Sequence, residues 1–183
     1  MGVSTVLSRD MIRRGQTEEF LAFVEGLGVH EAWLSEVKPS VQAFWNDSLV
    51  ITEEDRQALV RLQDRWNARP GLTVNYLGHF EGREHFGCNA GRKMIYVDAF
   101  GEVSPCVFTP MTFGNVRERP VEEIVGDMAA RFQPGLDCFV NRYYREFQAR
   151  SRGDAPVSRE ASLELLRDVT FGPPAEFHKI FNV

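Results

Sequence analysis

Residues 88–106 read CNAGRKMIYVDAFGEVSPC, and this stretch predicts a β-hairpin. It contains two runs that are rich in strand-forming side chains, 92–97 and 102–107. The loop between them ends in Gly101, and a glycine in the left-handed conformation is typical of hairpin loops of this length. Because the second strand folds back along the first, Cys106 is expected opposite the start of the first strand. Cys88 lies just before that strand, so we predict that the two thiols meet at one end of the hairpin.

Cys138 is the third and last cysteine of the 183-residue chain. It follows a predicted helix that starts at about Pro120 and stops before Pro134-Gly135, and this helix is able to return it to the first two cysteines. An odd count and a low density of cysteine argue against a disulfide scaffold. In a reducing compartment, thiolates select iron–sulfur clusters or zinc.

Zinc is the weaker of these two alternatives, because structural zinc sites use closely spaced cysteine pairs and this sequence has none. Inert thiols are a third alternative, since free cysteines often pack as small hydrophobic side chains.

The overall composition excludes several classes of protein. A net charge of −5 and a pI near 5.4 argue against electrostatic binding of nucleic acid. No apolar run reaches the length of a membrane span, and the first residues do not resemble a secretory signal. A hydrophobic content of 43% is sufficient for a packed core. We therefore expect a cytoplasmic protein.

The first eighty residues predict the order strand, helix, strand, helix, strand. The strands are expected at 3–7, 31–37 and 72–77. A first helix is expected to be capped by Thr17, and a second to begin at Thr52 with Asp55 in a partial capping box. This alternation requires a parallel sheet with right-handed crossovers.

Two helices are too few to cover both faces of such a sheet, and parallel sheets are normally buried on both. An exposed strand edge at residues 3–7 would also invite aggregation. We therefore expect this segment to be the later part of a larger α/β barrel. A partner or a second copy of the chain would supply the missing part, or the polypeptide was cut.

The second half resembles the auxiliary-cluster region of radical S-adenosylmethionine enzymes, called a SPASM domain or, in its shortened form, a twitch domain. The resemblance rests on Gly87-Cys88-Asn-Ala-Gly91, Ile95-Tyr-Val-Asp98, Gly101-Glu-Val-Ser-Pro-Cys106 and Phe113-Gly-Asn-Val116. The family signature opens with a Cys, a spacer, a Gly, four residues and a Cys. Cys88, Gly101 and Cys106 match it.

The resemblance implies an α/β fold: a partial (βα) barrel segment with parallel strands, followed by a small α+β twitch/SPASM-like domain with a β-hairpin and helices. It divides the chain into the end of the barrel (1–80), the auxiliary domain (81–150), and a linker with a C-terminal helix and tail (151–183). It implies one auxiliary [4Fe–4S] cluster, with Cys88, Cys106 and Cys138 as the ligands.

Functional groups of a barrel gather at the C-terminal ends of its strands. Ser8 and Arg9 follow the first predicted strand, and Glu36 and Lys38 lie at the end of the second. By resemblance to the family, these four residues would help to hold S-adenosylmethionine, provided that the missing barrel half is supplied.

The sequence departs from the family pattern in two ways. It has no Cys-x3-Cys-x2-Cys loop, so this chain alone should not start radical chemistry, and whether it is an enzyme by itself stays open. Three thiolates are one short of a full cluster shell, which leaves a position for substrate, for His79, His85 or Asp137, or for a partner. A small-molecule or peptide substrate is expected. The alternative function is a non-catalytic partner-binding or structural module with inert or zinc-binding cysteines.

Overall fold

The computed structural model describes residues 1–82, 85–151 and 157–180. It divides into two compact units: Met1–Val37 with Asn46–Phe80, and Lys38–Trp45 with Glu81–Val183. Most of the predicted linker (152–156) and the end of the predicted tail (181–183) lie outside the described residues. The predicted division into 1–80, 81–150 and 151–183 stays a prediction.

The first unit contains a three-stranded parallel sheet. Its strands are β1 (Gly2–Leu7), β2 (Glu31–Glu36) and β3 (Thr73–Tyr76), in the spatial order β1-β2-β3. The register pairs Leu7 with Glu36 and Leu34 with Tyr76, so the C-terminal ends of the strands lie side by side. The predicted parallel arrangement is confirmed.

Four helices belong to this unit: α1 (Arg9–Arg13), α2 (Gln16–Gly26), α3 (Glu53–Asn67) and α4 (Leu77–Phe80). The buried side chains of α2 and α3 form one hydrophobic core with alternate residues of the strands, among them Leu7, Leu34 and Val74. The intervening strand residues point the other way, and Val6 and Trp33 are exposed. One face of the sheet thus carries the core of this unit, as the shortage of helices predicted.

The start of α3 follows the prediction in detail. The Thr52 side chain accepts a hydrogen bond from the backbone of Asp55, and the Asp55 carboxylate accepts one from the backbone of Thr52, which completes a capping box. The prediction for α2 is wrong: Gly15, at φ 74°, is the N-cap, and Thr17 lies inside the helix with its side chain buried. Gly15 adopts this left-handed conformation without strain and begins the helix two residues earlier.

The Asp55 carboxylate should make the stability of the first unit depend on pH. Burial raises its pKa, but the hydrogen bonds from Thr52 and Arg13 outweigh burial, so its pKa lies below the ordinary value. A carboxylate whose pKa is lowered by folding stabilises the fold fully at pH values above its unfolded-state pKa, near 4. This contribution is lost as the pH falls through the folded-state pKa.

We expect Asp55→Asn to cost about 1–3 kcal/mol of unfolding free energy at pH 7 and progressively less below about pH 4. Urea unfolding at several pH values measures this difference. Asp64→Asn, on an exposed position of the same helix, is the control and should show little change. A pH-independent loss in Asp55→Asn would contradict the electrostatic explanation.

The second unit combines a short antiparallel hairpin with helices. Its strands are β4 (Tyr96–Val97) and β5 (Val103–Ser104), and a 3₁₀ turn lies at Gln42–Phe44. Its helices are α5 (Val121–Arg131), α6 (Phe139–Arg150), α7 (Arg159–Asp168) and α8 (Glu176–Ile180). Within the described ranges, no helix combines the length and the apolar character needed to cross a membrane.

An aromatic cluster forms much of the core of the second unit. Phe132 packs edge-on against Phe139, with ring centroids 4.7 Å apart, and Phe147 and Phe171 extend the cluster on the Phe139 side. Edge-to-face pairs of this kind are stabilising beyond the area they bury. Phe139 directly follows Cys138, so the cluster fixes the position of the third cysteine.

Candidate metal centre

The hairpin predicted from residues 88–106 is present, with shorter strands than expected. Tyr96 pairs with Ser104 and Val97 with Val103. The Asp98 carboxylate accepts hydrogen bonds from the backbone of Phe100 and Glu102 (2.8 and 2.9 Å), which shapes the loop. Gly101 has φ 92°, the left-handed conformation that the sequence predicted.

The pairing of the two arms continues beyond the regular strands as far as the cysteines. The backbone N–H of Gly91 donates to the carbonyl oxygen of Pro105 at 2.9 Å. Gly91 lies three residues after Cys88, and Pro105 directly precedes Cys106, so this bond holds the two cysteine-bearing segments together. Gly91 has φ 67°, and an added Cβ would lie 2.8 Å from the Phe132 ring, so the position requires glycine.

The segment that carries Cys138 also contacts the start of the hairpin. The backbone of Cys88 donates to the carbonyl oxygen of Gly135 at 3.3 Å. The thiol of Cys88 accepts a hydrogen bond from the backbone of Phe139. Cys138 is the N-cap of α6, so its position follows from the start of that helix.

The pKa shifts of Cys88 and Cys106 indicate that the three thiols lie near one another. Burial raises the pKa of Cys88 to about 12, and the neighbouring Cys138 and Cys106 add to this rise. Burial also raises the pKa of Cys106, again with a contribution from Cys138. Deprotonating Cys88 and Cys106 without a cation is therefore unfavourable, and this is the situation that a bound positive centre relieves.

Hydrogen-bond donors surround the sulfur atoms. The backbone N–H groups of Phe139 and Ala90 donate to the sulfur of Cys88. The backbone N–H of Phe108 donates to the sulfur of Cys106, at a distance of 3.5 Å. Such N–H donors to sulfur stabilise thiolates and tune iron–sulfur clusters. No residue pattern predicts these backbone donors, because they depend on the local path of the chain.

A buried lysine completes the surroundings of Cys138. The Lys38 ammonium donates to the Cys138 sulfur at 3.4 Å and forms an ion pair with Glu81 at 2.9 Å. The side chain of Lys38 is only 8% exposed. Its positive charge also favours the thiolate form of Cys106. The sequence pointed to Lys38 as a contact to S-adenosylmethionine; its contact with a cysteine was missed.

The thiols are not arranged as the ligands of a single ion. Within 1–82, 85–151 and 157–180, no three His, Cys, Asp or Glu side chains lie close enough to share one metal ion. A [4Fe–4S] cluster places each cysteine on a different iron atom, so its ligands are further apart than those of one ion. Three mutually interacting thiols with N–H donors fit the donor chemistry of such a cluster.

The other three residues predicted to bind S-adenosylmethionine lie in the first unit. The Ser8 side chain caps α1 by accepting from the backbone of Met11, and Arg9 forms an ion pair with Asp55 at 3.2 Å. The Glu36 carboxylate is paired with the Arg56 guanidinium through both of its oxygen atoms. Each has a structural partner, and binding of the cofactor by these residues stays a prediction.

The candidates for a fourth ligand divide between the two units. His79 belongs to the first unit, where its Nδ1 is 2.9 Å from the amide nitrogen of Gln63. His85 and Asp137 belong to the unit of the cysteines, and Asp137 lies 3.9 Å from Arg142 in an ion pair. The identity of the fourth ligand stays a prediction.

Comparison with known protein families bears directly on this site. Residues 88–152 match the family model described as SPASM, an iron–sulfur cluster-binding domain. These residues form a SPASM-type domain. The matched range contains all three cysteines and the whole hairpin, so the SPASM resemblance drawn from Cys88, Gly101 and Cys106 is confirmed. No curated protein matches the chain at a significant level.

The match settles the general chemistry of this region. A SPASM domain binds an iron–sulfur cluster, so the predicted iron–sulfur character is confirmed. The type of cluster and the individual ligands are finer statements, and they are taken up as proposals.

Proposed function

We propose that this chain carries the auxiliary-cluster region of a radical S-adenosylmethionine enzyme, with Cys88, Cys106 and Cys138 as ligands of one [4Fe–4S] cluster. The observation that carries the proposal is the hairpin closure between Gly91 and Pro105, together with the electrostatic interaction of the three thiols. When bound, the cluster would accept and donate single electrons or hold a substrate at an incompletely ligated iron.

The first unit supports the assignment to this enzyme class. Its strands follow one another in the order β1-β2-β3, and right-handed crossovers then bring both α2 and α3 to the same face, as in a βα barrel. Ser8, Arg9 and Glu36 lie at the C-terminal ends of these strands, where barrels bind their ligands. S-adenosylmethionine is part of the proposal on condition that a Cys-x3-Cys-x2-Cys loop is supplied from outside these 183 residues.

Anaerobic reconstitution with iron and sulfide tests the proposal. We expect about four iron and four sulfide per chain, a brown colour, and an electron paramagnetic resonance signal after one-electron reduction, because three thiolates together with one further ligand would hold the cluster. Bound zinc without sulfide, or no bound metal, would refute it.

A second candidate function is a non-catalytic binding module with inert thiols. It is favoured by the ion pairs and cap bonds that already occupy Arg9, Glu36 and Ser8. Under this alternative, replacing all three cysteines by alanine would leave the metal content unchanged. Under the leading proposal, the same replacement removes the cluster.

A further inference from the structure

Lys38 lies at the cysteine site although it is far from it in sequence. It follows β2, yet the residues 38–45 belong to the second unit. Its ammonium is 3.4 Å from the sulfur of Cys138 and 2.9 Å from a carboxylate oxygen of Glu81. A buried ammonium group is costly unless it is paired, and Glu81 provides the opposite charge.

This lysine differs in kind from the other donors at the site. Phe139, Ala90 and Phe108 donate through neutral backbone N–H groups. Lys38 brings a full positive charge on a side chain that is almost excluded from solvent. Charge-assisted hydrogen bonds are about twice as strong as neutral ones, and the electrostatic effect of a charge is larger where water is excluded.

We infer that Lys38 is a positioning residue of the proposed cluster: it would hold the Cys138 sulfur in place through their contact and raise the reduction potential of the cluster. The inference rests on the proposed function. One-electron reduction by an external reductant adds a negative charge to the cluster and breaks no bond. A positive charge and an N–H donor at a ligand sulfur stabilise the reduced form, and this raises the potential.

The Glu81 carboxylate moderates this effect without cancelling it. It is 46% exposed, so solvent screens its charge, whereas the lysine is buried against the sulfur. The net influence on Cys138 is therefore that of the nearby ammonium.

The test compares Lys38→Met, Lys38→Gln and Lys38→Arg after reconstitution, with Lys179→Met as the control. Lys179 is half exposed and pairs with Glu176 on α8. Iron content is measured first, and the midpoint potential is then obtained by a redox titration followed by electron paramagnetic resonance.

We expect the cluster of Lys38→Met to bind an electron at least tenfold more weakly than the parent cluster, which lowers the midpoint potential by about 59 mV for a one-electron couple. The midpoint potential of Lys38→Arg should stay nearest to that of the parent protein. The potential of Lys38→Gln should lie between those of Lys38→Arg and Lys38→Met, and the potential of Lys179→Met should equal that of the parent protein.

The outcomes separate this inference from the proposed function. If the parent protein binds no iron, the proposed function fails. If Lys38→Met keeps its iron and the parent potential, the inference alone is overturned. If Lys38→Met is unable to hold the cluster, the comparison moves to the other two variants: a higher potential in Lys38→Arg than in Lys38→Gln supports the role of the charge, and equal potentials refute it.

Discussion

The Cys88→Ser protein is expected to lose nearly all of the iron that the parent chain binds after reconstitution. A hydroxyl group is a poor ligand for iron in such a cluster, and only two thiolates would then remain for its four iron atoms. Iron and sulfide analysis, with the absorbance near 400 nm, measures the loss. Cys106→Ser and Cys138→Ser should have the same effect, because the three thiols belong to one site.

Val107→Ser is the matched control, since it introduces the same side chain beside Cys106 at a position that is 49% exposed. It should keep its iron. Full iron content in Cys88→Ser would contradict the assignment of this ligand, and equal loss in Val107→Ser would point to a general disturbance of the hairpin.

The Arg56→Met protein is expected to be less stable by about 3–5 kcal/mol, because breaking a buried ion pair leaves an uncompensated charge. Arg56 contacts the Glu36 carboxylate at 3.0 Å, and the side chain of Glu36 is only 2% exposed. Urea unfolding at neutral pH, followed by circular dichroism, measures the change.

Arg61→Met, on an exposed position of the same helix, is the control and should change the stability by less than about 0.5 kcal/mol. Glu36→Gln combined with Arg56→Met should recover part of the loss, because the buried charge is then absent. Equal stability of the Arg56→Met and Arg61→Met proteins would show that the pair contributes nothing to the stability of the fold.

The features that the sequence predicted well depend on local chemistry. The hairpin is specified by Asp98 and Gly101, whose side-chain bond and left-handed backbone shape the loop. The capping box of α3 likewise needs only Thr52 and Asp55, three residues apart. In both cases the interacting groups are neighbours along the chain, so their spacing is visible in the sequence.

The features that were missed have no local signal. Helix α6 begins after Cys138, which makes no side-chain cap bond, and its backbone is non-helical at Tyr143. The contact between Lys38 and Cys138 joins residues that are 100 positions apart, so only the folded chain brings it about. Thr17 was predicted as a cap because of its residue type, while Gly15 caps through its backbone conformation.

The path of the chain also affects how the protein can be dissected. The segment 38–45 belongs to the second unit, although the residues on either side of it belong to the first. The unit that contains the cysteines is therefore discontinuous in sequence. A truncated fragment that starts at residue 81 would lack Lys38 and also Trp45, whose indole donates to the carbonyl oxygen of Pro39 at 2.9 Å. Such a fragment would keep every cysteine and still lack the ammonium beside Cys138, so its redox behaviour should resemble that of Lys38→Met.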